Sequence, residues 1–97
     1  QGASGPALPL LVTLPASRVS VRSQSHTILR FFVSGPATVT LRIAHRDRTV
    51  RVLTHRFTGL GRQSFDIGRL PRGKYRVVLL GVRQEFSSAD RAVLVVR

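Results

Sequence analysis

The chain has 97 residues, 42% of them hydrophobic, and carries 16 Lys and Arg against four acids, for a formal charge of +12 at pH 7. That length makes one domain, burying roughly 60–65% of its unfolded surface, which allows a core but not a deep ligand cavity beside it. The absence of Cys excludes disulfides, thiolate metal sites and cysteine nucleophiles, and no apolar run approaches the ~20 residues that span a bilayer.

Residues 1–7 are small and polar with interspersed Gly and Pro, and read as a linker or tail; the domain proper is expected over residues 8–97. A start at Gln1-Gly2 in place of Met is what a segment cut from a longer protein would show. The stretch Leu8 to Val12 is too short for a signal peptide, contains Pro9 and has no basic region before it. Leu8 to Leu14 reads as an edge strand, because Pro9 and Pro15 cannot donate to a ladder. Arg18-Val19-Ser20-Val21-Arg22 alternates and predicts a second strand, followed by a turn over Ser23 to His26. Thr27 to Val33 places Leu29, Phe31 and Val33 on one face, and Ser34-Gly35-Pro36 ends it. Ala37 to Ile43 turns Val39, Leu41 and Ile43 inward, with Thr40 and Arg42 outward.

His45-Arg46-Asp47-Arg48 predicts a polar hairpin turn of three to five residues. Thr49 to Phe57 is expected to follow as a strand with Val50 and Val52 inward and Arg51 outward. Thr58 to Gly61 breaks the pattern, Gln63 to Ile67 returns as a short strand with Phe65 and Ile67 inward, and Gly68 to Gly73 turns again. Lys74 to Val82 is the strongest strand, with Tyr75, Val77 and Leu79 on one face. Arg83 to Asp90 predicts a polar loop, and Arg91 to Val96 a closing strand with Val93 and Val95 in the core. Val19 and Val21 complete the expected core. Seven or eight short strands at this spacing, without a helical stripe, indicate an all-β sandwich or barrel.

The stretch Ala37 to Leu80 resembles the bacterial immunoglobulin-like modules typified by the flagellar hook-capping protein. The matching residues are Val39-Thr40-Leu41-Arg42-Ile43, Val50-Arg51-Val52-Leu53, Phe65-Asp66 and Leu70-Pro71-Arg72-Gly73-Lys74-Tyr75-Arg76. They cover about half the chain; the family usually carries Trp-Asp-Gly where this chain has Phe65-Asp66-Ile67. The resemblance implies an immunoglobulin-like antiparallel β-sandwich of 7–8 strands and an exported setting, as a secreted, periplasmic or cell-surface domain. Its motif residues mark turns and core and imply no activity.

Catalytic, cofactor and metal residues are expected to be absent. His26, His45 and His55 are the only histidines; His45 and His55 could face each other across the hairpin, but only Asp47 accompanies them where zinc needs three or four converging ligands. No Ser sits in Gly-x-Ser-x-Gly. Asp66, Asp90 and Glu85 read as turn formers or partners of neighbouring arginines. Gly59-Leu60-Gly61-Arg62 lacks the Gly-Lys-Ser/Thr ending of a phosphate loop, and no helix follows it.

Arginine makes up fifteen of the sixteen basic residues. Arg30, Arg42 and Arg51 fall at expected outward positions of consecutive strands, so an arginine ladder on one sheet face is the candidate polyanion-binding site. The leading expectation is a non-catalytic structural or adhesion-type module of a larger exported bacterial protein, in contact with other domains or other proteins and without membrane insertion by this segment. The alternative is a module that holds an acidic glycan or anionic surface on its arginine face. A nucleic-acid binder ranks third, because base stacking needs exposed aromatics and only Phe32 and Phe86 are candidates.

Overall fold

The alternation becomes eight strands in a computed structural model that describes residues 10–97. They are β1 (Val12–Thr13), β2 (Arg18–Val21), β3 (Thr27–Val33), β4 (Ala37–His45), β5 (Arg48–Phe57), β6 (Gly61–Gly68), β7 (Gly73–Arg83) and β8 (Phe86–Val96). The expected tail over 1–7, and Leu8 and Pro9 of the expected first strand, lie outside the described residues. Two sheets form, one of three strands in the order β1-β3-β6 and one of five in the order β2-β8-β7-β4-β5. No helix among the described residues is long and apolar enough to cross a membrane.

The core lies between the sheets. Leu41, Ile43, Val77, Leu79 and Leu94 from the wide sheet meet Val12, Val33, Phe31 and Ile67 from the narrow one, all essentially fully buried. Phe31, Phe57 and Phe65 form an aromatic triangle with centroids 5.4–5.6 Å apart, joining β3, β5 and β6. Such pairs each contribute about 0.5–1.5 kcal/mol beyond the area they bury. Gly81 permits the close approach of β1 to β7, since a Cβ there would stand 2.3 Å from Val12 Cγ2.

The first strand segment changes sheets. β1 pairs antiparallel with β3, and after Pro15 the chain crosses over so that β2 pairs with β8. That second pairing is parallel, so the expectation of a wholly antiparallel sandwich is corrected at this one ladder. At the start of β7 the buried Tyr75 donates its hydroxyl to the Pro71 carbonyl at 2.6 Å, the tie between strand and preceding corner found in immunoglobulin-type sandwiches. The fold is an immunoglobulin-like β-sandwich.

Four expectations about strands and turns are corrected. Val50 and Val52 are 42% and 51% exposed, and the residues of β5 that face the core side are Arg51, Leu53 and Phe57. Pairing decides the phase: Leu41 faces Leu53 and Ala37 faces Phe57, while a bulge between Ile43 and Ala44 displaces Val50 from the ladder. β5 is moreover the edge of the wider sheet, where an outward valine costs little burial. Val93 and Val95 also point outward, and Ala92, Leu94 and Val96 fill the core. The run Ala92 to Val96 is apolar at every position, so its period is silent and the register with Val77 and Tyr75 chooses the face. The expected loop Arg83 to Asp90 is instead a tight turn at Gln84-Glu85, with β8 beginning at Phe86. The β4–β5 turn is likewise reduced to Arg46-Asp47.

Candidate functional site

The expected ladder of Arg30, Arg42 and Arg51 does not form. Arg30 lies on β3 in the narrow sheet, so it faces the opposite side of the sandwich from Arg42 on β4. Arg51 stands opposite the inward Ile43, whereas Arg42 stands opposite the outward Val52, which puts the two arginines on different faces of one sheet. Arg51 is half-buried and its guanidinium donates to the Ile67 carbonyl, bridging β5 to β6. It is a fastener between the sheets. Arg30 instead borders a shallow recess with Phe32, Arg62, Thr13 and Pro15.

The register assembles a different set on the outer face of the wide sheet. Arg42 pairs with Val78, Val78 with Arg91, Arg76 with Val93, and Val93 with Arg18. Arg42, Arg76, Arg91 and Arg18 therefore occupy successive diagonal positions across β4, β7, β8 and β2. Diagonal neighbours in a sheet stand about 7–8 Å apart, so the guanidinium groups form a zigzag around a floor of Val78 and Val93. Arg76, Val78, Arg91, Val93 and Ser17 line an open depression at its centre. Leu80 and Val82 extend the apolar strip along β7, and both are exposed.

The four acids lie elsewhere. Asp47 and Glu85 sit in the two hairpin turns. Asp90, opposite the inward Leu79, accepts the Leu14 amide at 2.7 Å and the Arg91 amide at 2.8 Å. Asp66 is on the narrow sheet, where its carboxylate lies 2.7 Å from His26 Nε2 and accepts the Gly68 amide at 3.0 Å. The hydrogen bond from His26, then that from Gly68, holds the Asp66 carboxyl below its ordinary value. Among the described residues, no hydrogen bond or ion pair reaches the guanidinium groups of Arg18, Arg42, Arg76 or Arg91.

The histidines are separated. His45 pairs with Arg48 and His55 with Val39, so the two do not face each other across the hairpin: it turns directly after His45, leaving His55 seven residues further along β5. His45 packs on Tyr75 with centroids 5.2 Å apart and its Nδ1 lies 3.1 Å from the Lys74 carbonyl. His55 packs on Phe57. Among the described residues, no group of three His, Asp or Glu could hold a metal ion.

Of the zigzag, alternation alone marks Arg18, Arg42 and Arg76 as outward. Arg91 escapes alternation because the run Ala92 to Val96 beside it is apolar throughout and states no phase, and the strand order that joins all four is a property of the fold.

No protein-family model and no curated protein matches the chain. Among solved structures it is similar to an engineered protein, at 18% identity and a TM-score of 0.68, over 98% of this chain and 21% of that one. It is also similar to the endo-β-1,4-mannanase from Thermotoga petrophila, at 15% identity and a TM-score of 0.64, over 95% of this chain and 20% of the mannanase. This chain thus spans about a fifth of the length of either protein. At these identities the likeness is one of fold.

Proposed function

We propose that this domain is a non-catalytic module of a longer exported bacterial protein, serving as spacer, scaffold or contact surface. One observation carries the reading: Tyr75, Asp90, Asp66 and His45, side chains able to do chemistry, are used to fasten strands. Tyr75 ties β7 to its corner, Asp90 ties β8 to Leu14, Asp66 joins β6 to His26, and His45 contacts Lys74 beside the Tyr75 ring. What faces outward on the wide sheet is broad, apolar and basic, suited to contact over an area. The likeness of Ala37 to Leu80 to the hook-capping modules supports the exported setting. The engineered protein and the mannanase, in which the matched region is about a fifth of the chain, offer the same arrangement of a sandwich within a longer protein.

Lys74 provides the test, because it is the sole lysine of the domain and is exposed. A membrane-impermeant amine reagent, applied to intact cells or spheroplasts making the full-length protein, should modify the peptide that contains Lys74. Modification only after the inner membrane is lysed would overturn the exported reading.

A further inference from the structure

We propose that the zigzag of Arg18, Arg42, Arg76 and Arg91 is a binding site for an acidic polysaccharide, a chain of sugar rings bearing carboxylates or sulfates. Four guanidinium groups on neighbouring strands, with no acid on a strand position of that face, repel one another. Neutralisation from outside relieves that repulsion. The site is a row: three strand steps of about 4.8 Å separate β4 from β2, so its charges extend about 14 Å. A row of that length in an open depression suits repeated anions on a polymer, not one small anion in an enclosed cradle.

The floor sets the class of polymer. Val78 and Val93 lie between the guanidinium groups and offer an apolar patch to the C–H face of a sugar ring. The planar guanidinium forks match carboxylate and sulfate with paired hydrogen bonds. Nucleic acid fits less well. Phe31, Phe57, Phe65 and Tyr75 are buried, Phe86 packs against the core, and Phe32 lies on the other sheet, so no aromatic on this face can stack a base. A flat face four strands wide is also too broad to enter a major groove about 12 Å across. A second copy of the chain would bring like charge against like.

The test titrates the domain with an oligogalacturonate and with a heparin oligosaccharide, one carrying carboxylates alone and the other also sulfates. Neutral dextran, an oligothymidylate and an oligoglutamate of matched length serve as comparisons. Binding to at least one acidic sugar polymer is expected at low salt, weakening steeply as salt rises through displacement of counterions. The double variant R42S/R91S should lose about tenfold or more in affinity and show a shallower salt dependence. R30S/R62S makes the same change in net charge on the other sheet, and should stay within about threefold of the parent. All four positions are exposed, and unchanged melting would show that the variants fold. Equal losses in the two double variants would overturn the site, as would failure of both sugar polymers to bind. Oligothymidylate or oligoglutamate binding as tightly as the sugars would overturn the ligand class. The inference rests on the module reading only for the exported setting in which such a polymer is met; its failure would leave the labelling of Lys74 unaffected.

Discussion

Tyr75 allows the fold to be tested at a single atom. Its ring is 4% exposed and stacks obliquely on His45, and its hydroxyl donates to the Pro71 carbonyl at 2.6 Å. Tyr75→Phe keeps the ring and removes only the hydrogen bond. A neutral hydrogen bond contributes about 0.5–1.5 kcal/mol net. Pro71 is exposed, so water can replace the lost donor, and the expected cost lies near the lower end, about 0.5–1 kcal/mol. For a domain of this size each kcal/mol moves the melting temperature by about 4–8 °C, so Tyr75→Phe should melt about 2–8 °C lower. Tyr75→Ala also empties the ring's site between the sheets. That costs on the order of 3–5 kcal/mol, a large share of the 5–15 kcal/mol typical of whole domains. Calorimetry of the two variants beside the parent reads both effects. Tyr75→Phe melting within about one degree of the parent would refute the corner tie. Tyr75→Ala no worse than Tyr75→Phe would refute the burial argument.

Gly81→Ala should destabilise by about 1–3 kcal/mol through overpacking, since the new methyl meets Val12 Cγ2 at 2.3 Å. Val12→Ala combined with it should recover part of the loss in urea unfolding, because the two sites share one space. Arg51→Ala should cost about 1–2 kcal/mol by removing the link to the Ile67 carbonyl, whereas Arg42→Ala should stay within about 0.5 kcal/mol; equal urea midpoints would contradict the opposite placement of these two arginines. Asp66 is more acidic folded than unfolded, so its contribution to stability is complete above its ordinary value of 3.8 and is lost as pH falls below that towards the lowered folded value. Asp66→Asn should therefore have a shallower acid limb in a plot of urea midpoint against pH, and superimposable limbs would refute the shift.

Much of the fold was legible because a half-buried strand repeats every two residues. Leu29, Phe31 and Val33, then Val39, Leu41 and Ile43, then Tyr75, Val77 and Leu79 each declared one buried face, and each set is buried. Where the period is ambiguous, the buried face is not legible from the chain alone. Ala92 to Val96 is apolar throughout, and β5 is an edge strand whose Val50 is displaced by a bulge; neither segment states its own phase. The candidate site was less legible than the fold for the same reason. Single residues could be marked outward, but whether two outward arginines share a face depends on which strands become neighbours.

By itself, the sequence determined the all-β class, the alternating core of the central strands and the strongly basic surface, because each follows from composition or from interactions among residues close in the chain. Tertiary structure alone decided the strand order, the parallel docking of β2 on β8, the inward turn of the half-buried Arg51 towards β6 and the diagonal meeting of Arg18, Arg42, Arg76 and Arg91. These depend on pairings between residues as far apart as Arg18 and Val93. Such pairings are set by how the two sheets close over one core, and no local pattern encodes them.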